Sequence, residues 1–250
     1  MGATRRGFLR GLAAAGAALG WTAAGGPAPA QEAGDVGGPP DPGPGALPWP
    51  TQPPELAREM VGVSHGNVAR VKELLARHAT LANAAWDWGF GDWETALGAA
   101  AHVGNREIAE LLLSSGARPT LFSAAMLGQL EVVRAVVVAS PGVQGTRGPH
   151  GLTLLHHARA GGERAAGVAR YLEGLGDADP RLETAPLESA EEAAIVGSYR
   201  FGPGEADRIE IARGKSGLTF MRAGAAARPL HHRGELAFSP AGAERVRIRF

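Results

Sequence analysis

Histidine is the residue type in this chain best suited to metal or proton chemistry, and four of its eight histidines form two adjacent pairs, His156-His157 and His231-His232. Adjacent side chains leave a helix on different sides and a strand on opposite faces, so neither pair converges on one ion, and no metal site is expected. Gly214-Lys215-Ser216 resembles the tail of a phosphate loop, but Ile209 stands where the first glycine of that loop belongs. The segment Trp86-Asp87-Trp88-Gly89-Phe90-Gly91-Asp92-Trp93 holds three of the five tryptophans. Large aromatics bury much area at little entropic cost, so Trp86, Trp88, Phe90 and Trp93 are candidate contacts for a protein partner; the competing expectation is that they pack down over the neighbouring helices. Asp87 and Asp92 are expected to serve turns and caps and not to form an acid/base pair. The glycine-rich stretch from Ser140 to His150 lacks the spacing of a phosphate cradle and is expected to be a flexible connector. With no G-x-S-x-G elbow, no H-E-x-x-H and no paired carboxylates, no catalytic residue is assigned, no cofactor is expected, and the chain is not expected to be an enzyme.

What must position these residues is bounded by composition. The 250 residues are 44% hydrophobic, enough for one or two cored domains. Lys+Arg and Asp+Glu are 25 each, so no net field draws the chain to nucleic acid or anionic lipid, and neither partner is expected. Cysteine is absent, which excludes disulfides, thiolate nucleophiles and cysteine-ligated metal centres.

The amino terminus reads as an address. Thr4-Arg5-Arg6-Gly7-Phe8-Leu9-Arg10 precedes an apolar run from Gly11 to Ala24 and then Ala28-Pro29-Ala30, the order of positive region, hydrophobic region and A-x-A cleavage site. The run is shorter than the roughly 20 residues a helix needs to span a bilayer, so no membrane span is expected once the signal is removed. Arg5-Arg6-x-Phe8-Leu9 resembles a bacterial twin-arginine translocation signal, which implies a periplasmic or extracellular destination for residues 31 onward. Residues 31–54, with Pro39-Pro40 and Pro53-Pro54, read as a semi-extended Pro/Gly-rich linker.

Between residues 55 and 176 one pattern recurs: a short small-residue helix, a glycine, then a helix with an aliphatic stripe. The clearest copy opens Thr95-Ala96-Leu97-Gly98-Ala99-Ala100-Ala101-His102-Val103-Gly104 and continues Glu107-Ile108-Ala109-Glu110-Leu111-Leu112 to Gly116-Ala117. This resembles the ankyrin pattern T-P-L-H-x-A-A-x-x-G followed by E-I-V-x-x-L-L-x-x-G-A. Partial copies surround Gly66, Gly128 and Gly162, giving about four. Ala99, Ala100, Ala124, Ala125 and Ala158 permit close helix approach, while Ile108, Leu111, Leu112 and Val168, Tyr171, Leu172, Leu175 form i, i+3, i+4 stripes that only a neighbouring pair can cover. Thr95 and Thr153 are expected to cap helices, and the four glycines to end the first helix of each pair in a left-handed conformation. The interval from Gly66 to Gly104 is longer than the ankyrin period of about 33 residues and holds an enlarged loop from Ala79 to Glu94. The interval from Gly104 to Gly128 is shorter and leaves no room for a full hairpin finger.

After an acidic linker at 177–192 the period changes to two. Residues 195–201, 208–211, 218–220, 235–238 and 245–250 read as short antiparallel strands of a small β module, 193–250. Its opening, Gly197 to Gly204, is similar to small β domains that follow serine-hydrolase domains in secreted bacterial proteins, but brings no catalytic residues. The alternating Arg245, Arg247 and Arg249 are expected to be a solvated strand face. The sequence thus predicts a mainly α chain: an ankyrin-type solenoid followed by the β module. The ankyrin resemblance implies a non-catalytic scaffold that binds a protein. The alternative is a small-ligand-binding or substrate-handling protein with a pocket between solenoid and module.

Overall fold

Helix formation begins at Pro54, whose missing N–H costs nothing in a first turn. The computed structural model describes residues 51–250 except 201, 205, 206, 216, 223, 224 and 226. The expected signal and nearly all of the expected linker at 31–54 lie outside the described residues.

Four antiparallel helix pairs follow one another: α1 Pro54–Val63 with α2 Val68–Arg77, α3 Ala96–His102 with α4 Arg106–Ser114, α5 Leu121–Met126 with α6 Leu130–Ala139, and α7 Leu154–Ala160 with α8 Ala166–Leu175. The first helices stack in a row, α1 on α3, α3 on α5 and α5 on α7. Alanines make this possible, because Ala99, Ala100, Ala124, Ala125 and Ala158 are buried and keep the backbones close. The second helices close the core with Val71 and Leu74, Ile108 and Leu112, Val133, and Val168 and Leu172, all at or near zero exposure. Each such side chain contributes about 1.5–3 kcal/mol on burial. Leu175 is 38% exposed and lies at the edge of its stripe.

Start and stop signals act where the sequence places them. Thr95 accepts a hydrogen bond from Gly98 N at 2.9 Å, and Thr153 one from His156 N at 3.2 Å. Gly104 and Gly128 have φ of 75° and 78°, as the reversal requires. Space demands glycine there too, since a Cβ on Gly104 would lie 2.1 Å from the Ala160 carbonyl and one on Gly128 2.2 Å from that of Arg164. Gly66 departs from expectation: it does not adopt a positive φ, and an added Cβ would meet open space.

The enlarged loop is a 3₁₀ turn, Ala79–Asn83, followed by a two-stranded hairpin of β1 Ala85–Asp87 and β2 Trp93–Thr95. Among the described residues no strand lies between α4 and α5, in keeping with the short interval there.

The β module is larger than five strands. β3 Gly197–Arg200, β4 Arg208–Gly214, β5 Gly217–Arg222, β6 Arg228–His232, β7 Ala237–Pro240 and β8 Ile248–Arg249 form one antiparallel meander in chain order. Ile195, Ile211, Leu218, Phe220, Leu230 and Phe238 fill its core. Strand β6 was not expected, because Pro229 and the paired histidines break its alternation. A helix, α9 Ser189–Ile195, occupies part of the stretch read as linker. Glu188 and Glu191 form a capping box at its start, and the acidic first turn suits the helix dipole. With a six-stranded sheet beside the helices, the described chain combines helical and antiparallel β parts more evenly than a mainly α solenoid does.

The sheet docks on the β1–β2 hairpin. Phe90 meets Phe220 with ring centroids 5.5 Å apart, and Arg228 donates to Asp92 Oδ2 at 2.8 Å and to the Gly89 carbonyl at 3.3 Å.

Candidate functional site

Strand β2 ends in the cap of α3, and this fixes Glu94 immediately before Thr95, with its side chain wholly buried. Three histidines surround it. His65 comes from the turn after α1 and is held by a bond from its Nδ1 to the Gly62 carbonyl at 3.0 Å. His102 is the last residue of α3 and has a side chain 9% exposed. His150 lies in a 3₁₀ turn, Pro149–Gly151, before α7, at a left-handed φ of 60°.

Glu94 Oε1 is 3.0 Å from His102 Nδ1 and 3.3 Å from His150 Nε2, and Glu94 Oε2 is 3.6 Å from His65 Nε2. The same Oε2 accepts from Trp88 Nε1 at 2.7 Å. His65 and His102 rings are 4.9 Å apart, His102 and His150 rings 5.3 Å.

Asp92 stands behind this group. Its Oδ1 accepts from His150 N at 2.8 Å, and its Oδ2 contacts His150 Nδ1 at 2.9 Å and Arg228 at 2.8 Å. It therefore fixes both the backbone and the ring of His150, which stabilises an unfavourable conformation for a non-glycine residue. The Asp92 N–H closes the hairpin turn on the Gly89 carbonyl at 3.3 Å, as expected, and its side chain adds this second role, which was not expected. Asp87 is a turn residue as expected, accepting from Gly89 N at 2.8 Å.

Burial disfavours the charged forms here, but the polar neighbours prevail. Burial pushes Glu94 upward, yet His102 and His150 hold its carboxyl well below the usual range, at about 2. Burial likewise works against a charged His150, and Asp92 and Glu94 raise it to about 9. Two arrangements meet these constraints: a protonated His150 bridging two carboxylates, or a cation in the place of that proton.

The expected partner residues divide. Trp86 is half-buried against the first core and under the Arg58 guanidinium, 5.9 Å from its ring. Trp88 turns inward to Glu94, and Phe90 is 45% exposed with one face on Phe220. Trp93 is 63% exposed and borders a groove of about 350 Å³ with Phe122, Arg147, Pro149 and Glu244. A cavity of about 270 Å³ lies between the helical part and the sheet, lined by Trp88, His150, Ala225, Arg228, Pro229 and Ala241.

The stretch from Ser140 to His150 is pinned in place and is not a free connector. Gln144 donates to Asp177 at 2.7 Å, Arg147 to the Gly151 carbonyl at 2.6 Å and also to that of Pro180. The adjacent histidine pairs stay out of the cluster: His156 donates to the His102 carbonyl at 3.0 Å, and His157 from its Nδ1 to that of Thr153 at 2.8 Å.

Sequence reasoning missed Glu94, His65, His102 and His150 as a group, because it weighed only neighbouring histidines. One signal was present: His65 and His102 stand one and two residues before the glycines that follow the first helices of consecutive pairs, so stacking the pairs brings them together.

The stretch that carries Glu94 and His102 has one family match. Residues 92–123 match the family model for the ankyrin repeat. The matched ankyrin repeat runs from the end of the hairpin through α3 and α4 into α5. Among curated proteins none matches the chain.

Proposed function

We propose that this protein is an exported, non-catalytic ankyrin-type scaffold of about four repeats that recognises a protein partner. The observation that carries this reading is Trp93, 63% exposed at the end of a hairpin inside the matched ankyrin repeat and beside the groove of Phe122, Arg147 and Pro149. A large aromatic next to a cationic side chain suits an interface anchor. Trp86, Trp88 and Phe90 then support the hairpin from within, and Phe90 adds its exposed edge.

Affinity capture from the exported fraction is expected to return one stoichiometric protein that Trp93→Ala loses. Val138→Ser, a change on α6 at a residue 73% exposed, is expected to retain it. Equal capture by the Trp93→Ala protein would end this reading. The export part is tested by Arg5→Lys/Arg6→Lys, which is expected to leave the protein in the cytoplasm.

The 270 Å³ cavity favours a second reading, a small ligand bound between helices and sheet. Its mainly apolar walls, with Arg228 and His150 among the lining residues, suit a small anion with a hydrophobic body. Such a ligand at one hundred times its Kd raises stability by about 2.7 kcal/mol, which a thermal-shift screen of carboxylates and phosphates reads directly.

A further inference from the structure

We propose that His65, Glu94, His102 and His150 form a binding site for one divalent transition cation of the zinc type. The four residues each offer one ligand atom, and these atoms all lie within 4.8 Å of one another. In a tetrahedral site with bonds of 2.0–2.1 Å, ligand atoms are separated by about 3.3 Å. Glu94 Oε1 already stands 3.0 Å from His102 Nδ1 and 3.3 Å from His150 Nε2, and Oε2 stands 3.6 Å from His65 Nε2. Drawing in the widest pair needs movement of about 1.5 Å, which side-chain rotation supplies.

Unpaired atoms point the same way. Glu94 Oε1 and His102 Nδ1 are buried and lack a hydrogen-bond partner, although they are 3.0 Å apart. Their lone-pair and N–H directions miss each other, so the two atoms lie side by side. A buried carboxylate oxygen left so is costly, and a cation between them satisfies both.

The surroundings fix the donors from outside. His150 Nδ1 is engaged by Asp92 and His65 Nδ1 by the Gly62 carbonyl, so in each ring Nε2 is left as the donor. Trp88 Nε1 orients the Glu94 carboxylate in the same manner. Asp92 is itself neutralised by Arg228, which leaves Glu94 as the anionic ligand. Three imidazoles and one carboxylate favour zinc over calcium or magnesium, which prefer all-oxygen sites. The proposal stands independently of the scaffold reading.

The test uses the full chain, stripped with chelator and titrated with Zn²⁺ by calorimetry and with Co²⁺ by visible absorption. One equivalent of each is expected, with the intense absorption of tetrahedral Co²⁺. His65→Ala and Glu94→Gln are each expected to weaken Zn²⁺ binding at least a hundredfold, and Asp92→Asn about 10–100-fold. The His231→Ala/His232→Ala protein is expected to bind as the parent does. His65 is a third exposed and ends in a turn, so its variant keeps the fold even if a change at Glu94 does not. Absence of a Zn²⁺ heat, or an unchanged affinity in His65→Ala with native circular dichroism, overturns the proposal and leaves the protonated His150 bridge as the structure of the cluster.

Discussion

His157 has no exposed surface and keeps its proton on Nδ1, facing the Thr153 carbonyl, while its Nε2 has no partner. Burial pushes it down to about 4 from the ordinary value near 6.5. Because the folded value is the lower one, the unfolded chain takes up the proton first as pH falls. Stability contributed by the neutral ring is therefore full above pH 6.5, declines between 6.5 and 4, and is gone below. The span corresponds to about 3 kcal/mol. Urea titrations with chelator present should show that loss in the parent and a smaller one over the same window in His157→Gln; equal losses would show that the ring does not titrate across folding. At this scale little of the site was legible. Glu94 and Asp92 are ordinary acids within an aromatic loop, and His150 ends a glycine-rich stretch. Only their delivery from separate turns makes them neighbours, and no spacing encodes that.

Elements were far more legible, because capping and periodicity are local. Thr95 and Thr153 cap as expected, and Ile108, Leu112, Val168 and Leu172 face the core. What escaped was β6, whose Pro229 breaks the pattern, and α9, whose acidic start reads equally well as linker. The glycines allow strain and crowding to be separated. Gly116 has φ of 90° with open space around a Cβ, whereas Gly104 at φ of 75° faces the Ala160 carbonyl. Gly116→Ala is expected to cost about 1 kcal/mol from conformation alone, and Gly104→Ala about 3 kcal/mol or more, since the α7 backbone must move. Denaturant midpoints giving similar losses for both would show that the stacked pairs yield more easily than the contact distance implies.

In the whole molecule, a charged contact lies deep between the stacked helix pairs and the sheet. Arg228 is 13% exposed and Asp92 2%, and they pair across 136 residues of sequence. Removing the cation leaves Asp92 buried with His150 alone, so Arg228→Met is expected to cost about 3 kcal/mol. Limited proteolysis should then cut first in the sheet, while the helical pairs stay protected; uniform cleavage would show that the two parts unfold together. The order of the parts was visible in the change of period near residue 195, but their docking was not, because it rests on single residues from either side.

The seating of the sheet on the hairpin also sets a threshold for anything else that would use that surface. A covalently tethered competitor is present at an effective concentration in the millimolar range, whatever the concentration of the protein. A molecule that needs the hidden face of Phe90 or the carboxylate of Asp92 must first overcome that occupancy, whereas one that reaches only Trp93 meets no such competition.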